Sequence, residues 1–365
     1  MTAMPRLALD RATKSYGGAP VLDGVSLTVE SGETVVVCGP SGSGKTTLLR
    51  LIAGTVLPDS GDVRIAGVSV LGRGPEGRDV GMAFQNFALY PHLSAFENIA
   101  SPLRARRLGE SEIKAKVDAI AKLLRIGHVL GHRPRELSNG QKQRTALGRA
   151  LVRGPSVLLL DDPLRNVDAK LRYEMRLELP RLLTAFGSAV IYVTQDYREA
   201  MALGRRIAVL RKGRFEQVGA PPTVYAAPAN LEIARLFGDP TINLFPCRLQ
   251  AEGIELFGQR LPLNGAMADL AGRDVVVGIR AEDVEIALEP VGGAVPLELD
   301  AVTPLNVRAV LYLRSRDGKE LLATVPEDDA LRFGRGHRPV WARLAPERFL
   351  AFDPASGARL APAAA

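Results

Sequence analysis

Eight residues near the amino terminus could do chemistry as a unit: Gly39-Pro40-Ser41-Gly42-Ser43-Gly44-Lys45-Thr46. They fit the spacing G-x-x-x-x-G-K-[ST], which cradles phosphate groups. The glycines let backbone N–H groups turn inward around phosphate oxygens. Lys45 sets a cation on the β- and γ-phosphates, and the Thr46 hydroxyl can ligand Mg2+. The arrangement needs a strand before it and a helix after it, because the helix N-terminus favours the anion. Thr34–Cys38 supplies a β-branched run, and Leu48, Leu49, Leu51 and Ile52 supply the apolar residues of a helix ending near Gly54.

A phosphate loop of this kind also needs a strand-end carboxylate for the metal. The apolar run Val157–Leu160 ends on Asp161 and Asp162. Asp161 is expected to hold Mg2+ directly or through water, and Asp162 to face the γ-phosphate and its attacking water. An ordinary pair of strand-to-loop aspartates has the same sequence.

Leu137-Ser138-Asn139-Gly140-Gln141 lies sixteen residues before that strand. It resembles the LSGGQ signature of ATP-binding-cassette (ABC) ATPases. Tyr16, Gln85 in Ala83-Phe84-Gln85-Asn86, and Asp168 in Asn166-Val167-Asp168 accompany it in the family's order over residues 4–236. Three further stretches resemble the branch serving carbohydrate and related importers: 88–94, 168–172 and Gly278-Ile279-Arg280-Ala281-Glu282-Asp283. The resemblance implies an α/β P-loop NTPase domain over 4–237, with a helical subdomain at about 94–150. A small all-β, OB-like regulatory domain follows over 238–365, of the kind on maltose- and glycerol-3-phosphate-type importer ATPases.

The resemblance also implies a mechanism. Two such domains close head to tail on two ATP molecules. ATP contacts fall to Tyr16 (stacking on adenine), Gly39, Ser41, Gly42, Gly44, Lys45, Thr46 and Thr47. Ser138, Gly140 and Gln141 grip the other subunit's nucleotide, and Asp168 fixes the interface. Thr46, Gln85 and Asp161 are the expected Mg2+ ligands; Asp162, Gln195 and Gln85 are the expected catalytic residues. The implied partners are two integral-membrane permease subunits, a second ATPase subunit and, indirectly, an extracytoplasmic solute-binding protein, with no nucleic acid. The implied place is the cytoplasmic face of the inner membrane, and the implied solute a carbohydrate, a polyol such as glycerol, or a sugar phosphate.

Four residues depart from the family pattern. Asp162 stands where the family has Glu, one methylene shorter. Gln195 stands where it has His, and carries neither charge nor a titrating nitrogen. Asn139 replaces a glycine; Asn tolerates positive φ better than most residues. Arg165 replaces a serine and has no evident role. ATP binding should survive these changes and hydrolysis at this chain's own site should be weak. Pairing with a related ATPase that keeps Glu and His would give one slow site and one competent site. A slow homodimer and a non-hydrolytic ATP-binding scaffold are the alternatives.

The remaining sequence supplies the frame. Its 365 residues suit two domains. Net charge is +7, but residues 1–236 carry 33 basic and 22 acidic side chains while residues 237–365 carry 14 and 18. That change of sign separates two surfaces of different character. No apolar run approaches the roughly 18 residues of a bilayer span, and the first residues lack a signal peptide's apolar core. Two cysteines, Cys38 and Cys247, read as reduced thiols. Residues 94–126 read as helical, with Ile113, Val117, Ile120 and Leu124 on one stripe. Strands alternating with helices up to Thr194 argue for a parallel sheet. A last helix is expected at about 229–237, a boundary at Gly238-Asp239-Pro240, and short strands beyond, with Asp317-Gly318 as a hairpin turn. His128 and His132 have helical ligand spacing, but Gly127 and Gly131 argue against a helix there.

Overall fold

The structure is a computed structural model, and it describes residues 4–263, 265–305, 307–334 and 337–360. The chain forms two compact units that divide between Val224 and Tyr225.

The first unit is built on two sheets. Its elements are β1 (Leu7–Tyr16), β2 (Ala19–Val29), β3 (Thr34–Cys38), α1 (Lys45–Ala53), β4 (Ser60–Ile65), β5 (Val68–Ser69), β6 (Val80–Ala83), α2 (Ala95–Arg104), α3 (Glu110–Leu123), α4 (Asn139–Leu151), β7 (Val157–Asp161), α5 (Ala169–Ala185), β8 (Ala189–Thr194), α6 (Tyr197–Leu203), β9 (Arg206–Arg211) and β10 (Arg214–Gly219). The main sheet runs β10-β9-β3-β8-β7-β6. All its pairs are parallel except β10 with β9. Its central strands read as unbroken apolar runs because both faces are covered, and Val35, Val36, Val37 and Cys38 are fully buried. The antiparallel sheet β2-β1-β4-β5 is the second layer. Leu48, Leu49, Leu51 and Ile52 of α1 join both sheets in one core with Leu7, Leu22, Val35 and Val37. The phosphate loop is thereby anchored on both sides.

The helical stretch expected over 94–126 is two helices. Ser94 starts α2 with a reciprocal capping box to Glu97. The chain then turns at 105–109, where Arg107 takes a left-handed φ of 58°, and Gly109 caps α3. The apolar stripe is real: Ile113, Val117, Ile120 and Leu124 are all buried.

The second unit is all-β apart from short helical turns and α7 (Leu231–Leu236), whose N-cap Asn230 accepts from the Ile233 amide at 2.9 Å. Its strands are β11 (Asn243–Arg248), β12 (Ile254–Leu256), β13 (Gln259–Leu261), β14 (Asp274–Ile279), β15 (Val284–Ala287), β16 (Val295–Leu305), β17 (Arg308–Arg314), β18 (Glu320–Pro326), β19 (Arg338–Leu344) and β20 (Leu350–Phe352). They form the sheets β11-β14-β20, β12-β13 and β15-β19-β16-β17-β18 around a core that includes Phe245, Val277, Leu299, Leu311, Leu321 and Val340. Asp317-Gly318 makes the β17–β18 hairpin, with Arg314 opposite Glu320 and Gly318 at φ 83°. Arg280 of the importer-like motif is 5% exposed. Its guanidinium donates to the carbonyls of Ala234 at 3.1 Å, Tyr225 at 2.9 Å and Phe237, and stacks 4.0 Å from the Tyr225 ring. That motif residue therefore pins α7 to the β core. Among the described residues, no helix is long and apolar enough to cross a membrane.

Candidate functional site

The site forms where β3, β7 and β8 end. The loop after β3 turns through Gly42 at φ 78° and Gly44 at φ 105°. Gly44 caps α1, and a Cβ there would meet the Val21 carbonyl oxygen at 2.7 Å. A side chain at this position would meet both strain and a clash. Lys45 begins α1 and is 7% exposed. Its ammonium donates to the carbonyls of Gly39 at 2.8 Å and Pro40 at 2.7 Å, and lies 3.4 Å from Ser43 Oγ. Burial pulls its pKa down, while nearby acidic groups, among them Asp162 and Asp161, oppose that.

The opposite wall is acidic. Asp161 closes β7, and Asp162 follows at a left-handed φ of 45° with its amide donating to the Val193 carbonyl at 2.9 Å. That bond ties the end of β7 to β8. Burial pushes both carboxyls up; Arg50 and Lys45 oppose it at Asp161, and Arg165 leads the opposition at Asp162. The Thr194 hydroxyl stands 3.5 Å from Asp162 Oδ1.

Between the walls lies a cavity of about 230 Å3. Ser41, Gly42, Gly44, Lys45, Thr46 and Thr47 line it from the loop side, and Gln85, Asp161, Asp162 and Gln195 from the strand ends, with Val21 and Val193 between. The donor set suits a nucleotide phosphate chain with Mg2+. Loop residues with an ammonium meet a hydroxyl, an amide and two carboxylates, the oxygen ligands that a hard cation takes. Gln85 is held by its own carbonyl, which accepts from Asn166 Nδ2 at 2.9 Å.

Other residues named from sequence lie elsewhere. Tyr16 ends β1, 47% exposed and outside the cavity lining, with the Lys14 ammonium 5.7 Å from its ring centre. Ser138 caps α4; its hydroxyl accepts from the Gln141 amide at 3.3 Å, and Gln141 Oε1 accepts from the Ser138 amide at 2.9 Å. Gly140 packs so closely on Leu171 that a Cβ would approach Leu171 Cδ2 to 2.5 Å. Asp168 caps α5 by accepting from the Leu171 amide at 3.0 Å. None of these five residues (Tyr16, Ser138, Gly140, Gln141 and Asp168) lines this cavity. Asn139 is an ordinary first residue of α4 and does not use positive φ, which corrects the reason expected for it.

Sequence reasoning missed Val21, Arg50 and the partner of Arg165. Val21 and Arg50 carry no motif signal. Arg165 did, as a departure: its Nη1 lies 3.7 Å from Asp162 Oδ2.

A glycine-rich loop opening a helix at the end of a parallel strand, with a strand-end carboxylate pair across from it, defines a P-loop nucleotide-binding protein. The comparisons narrow the class. The ABC transporter family matches residues 22–165, and the MalK OB fold domain matches residues 238–284. The sn-glycerol-3-phosphate import ATP-binding protein UgpC of Cereibacter sphaeroides is 42% identical over 88% of this chain and 91% of its own length. Its counterpart in Escherichia coli K12 is 40% identical over 98% of this chain and 100% of its own. Among solved structures, a dimeric bacterial ABC transporter cassette aligns with a TM-score of 0.54 at 32% identity, covering 59% of this chain and 98% of that one. A post-hydrolysis form of that cassette, bound to ADP and phosphate, aligns with a TM-score of 0.53 at 31% identity. The chain belongs to the ABC import ATPases, in the branch that carries a MalK-type OB domain.

Proposed function

We propose that this chain energises import of sn-glycerol-3-phosphate or a related polyol or sugar phosphate, at the cytoplasmic face of a membrane. Two permease subunits, a second ATPase subunit and an external solute-binding protein complete the machine. The nucleotide work falls to residues 4–237 and regulation to 238–365. The observation that carries the reading is the cavity that gathers Ser41, Gly42, Gly44–Thr47, Gln85, Asp161, Asp162 and Gln195. The likeness to named glycerol-3-phosphate import ATPases over nearly the full chain supports the solute class.

The loop amides and Lys45 hold the phosphates, and Tyr16 stacks on the base. Thr46, Gln85 and Asp161 hold Mg2+, which when bound neutralises phosphate charge. Asp162 faces the attacking water, and Gln195 donates a neutral hydrogen bond to the γ-phosphate. Ser138, Gly140 and Gln141 serve the site of the opposing subunit, whose interface Asp168 fixes. Closure of the ATPase pair, reset by hydrolysis, drives the membrane subunits.

Two features support weak hydrolysis at this chain's own site. Asp162 stands a methylene short of the family's Glu, and a misplacement on the order of 1 Å costs about a hundredfold in rate. Gln195 supplies no charge. We therefore assign the chain to an asymmetric pair, opposite a related ATPase that keeps Glu and His. A slow homodimer is the second reading, favoured by the dimeric form of the solved cassette. Detergent pull-down of the tagged chain, with mass spectrometry, separates them. A different ATPase and two permease subunits are expected. Permease subunits with this ATPase alone would overturn the asymmetric pair, and absence of any permease would overturn the transport role.

A further inference from the structure

Arg165 stands in the site loop with no role supplied by the family resemblance, and its surroundings give it one. Asp162 leaves β7 in the left-handed region, Pro163 and Leu164 follow, and the Arg165 amide donates back to the Asp162 carbonyl at 3.2 Å. This turn is held from behind. The Arg172 guanidinium donates to the carbonyls of Leu164 at 3.2 Å, Arg165 at 3.4 Å and Val167 at 3.1 Å. Asn166 Nδ2 ties the same loop to Gln85. With the backbone fixed, the Arg165 side chain sets Nη1 3.7 Å from Asp162 Oδ2. That spacing gives charge attraction without a hydrogen bond. The guanidinium side chain is 53% exposed and the carboxylate 12%, so an exposed cation covers a nearly buried anion. The other carboxylate oxygen faces the Thr194 hydroxyl. Both oxygens of Asp162 therefore have protein neighbours.

We propose that Arg165 is a positioning residue that holds the Asp162 carboxylate by charge and withholds it from the water that attacks ATP. The inference rests on the reading of Asp162 as the group that faces this water. Lys45, the other cation beside Asp162, is engaged by the carbonyls of Gly39 and Pro40. The serine usual in the family carries no charge and cannot make this pair. The short reach of Asp162 and its capture by Arg165 act in the same direction: the site keeps its nucleotide and turns it over slowly.

The test is single-turnover hydrolysis of γ-labelled MgATP by the assembled complex in excess, with any partner ATPase silenced by Glu→Gln at its own site, and with MgATP affinity measured on the same preparations. Arg165→Ala is expected to raise the rate about fivefold, the scale of one partly exposed charge pair, with Kd changed by less than about twofold. Arg165→Lys, which keeps the cation, is expected to retain the slow rate. Adding Asp162→Asn to Arg165→Ala is expected to remove the gain. An unchanged or lower rate in Arg165→Ala overturns the proposal. So does an equal gain in Arg165→Lys, or a gain that survives Asp162→Asn. Loss of MgATP binding in both Arg165→Ala and Arg165→Ser would make the residue a structural part of the loop, and would overturn it too. The weak-site reading fails separately, by a wild-type rate that Asp162→Glu does not raise.

Discussion

The two walls of one cavity contrast. The loop wall, Ser41, Gly42 and Gly44 to Thr47, carries the residue types that phosphate binding needs, on a backbone clamped between two sheets. The strand-end wall carries Gln85, Asp161, Asp162 and Gln195; in the proposed reading the first two serve the metal and the last two serve hydrolysis. On that reading binding and hydrolysis are separable within one cavity. A phosphate cradle depends on backbone direction and one cation, whereas a water-activating group depends on the reach of a single side chain.

The comparison can be broken most severely at the loop wall. Lys45→Ala removes a buried ammonium whose charge-assisted bonds are worth about 1.5–3 kcal/mol each. MgATP affinity, read by equilibrium binding, is expected to fall at least about a hundredfold. Asp162→Asn, on the other wall, is expected to leave Kd within about threefold while lowering residual hydrolysis about tenfold or more. Equal loss of affinity in both variants would erase the distinction between the walls.

Smaller effects sharpen it. Gly140→Ala drives a methyl toward the end of the partly exposed Leu171 side chain, which can turn aside, while a helix favours Ala over Gly by about 0.5–1 kcal/mol. Thermal unfolding should therefore shift stability by no more than about 1 kcal/mol, with MgATP affinity in the isolated chain unchanged because Gly140 lies outside this cavity. The smallest effect concerns pH. Burial pushes the Glu33 carboxyl up, and hydrogen bonds from Arg206 at 2.6 and 3.0 Å and from the Glu30 amide at 2.9 Å more than offset it. Its pKa is therefore lowered on folding. The stability it adds is full above the unfolded carboxylate range and is lost as pH falls through the lowered value. Denaturant midpoints of wild type and Glu33→Gln should differ at neutral pH and converge in acid, well below about pH 4. A gap that persists in acid would show the loss to be packing alone.

Much of this was legible in the chain because it is local. Gly39–Thr46 spans eight consecutive residues, and strands such as Val157–Leu160 declare their burial by unbroken apolar runs. The reciprocal cap of Ser138 and Gln141 likewise sits within one turn. What was not legible depends on distant packing or on single torsions. Val21 reaches the cavity only because β2 passes beside Gly44. Arg165 meets Asp162 only because Asp162 takes a left-handed φ and Arg172 holds the following turn. The reversal at 105–109 lies inside a pattern whose apolar spacing alone reads as helix. Asn139 shows the opposite error, a backbone explanation offered for a residue in ordinary helical conformation.

The most direct measurement is ATP turnover by the assembled complex carrying Asp162→Glu with Gln195→His, with any partner ATPase silenced by Glu→Gln at its own site, normalised to nucleotide bound. Unchanged MgATP affinity and a rise of about a hundredfold at this chain's site are expected if the strand-end wall alone limits hydrolysis. No gain with affinity intact, or a wild-type site already as fast as the double variant, would contradict the separation of binding from hydrolysis.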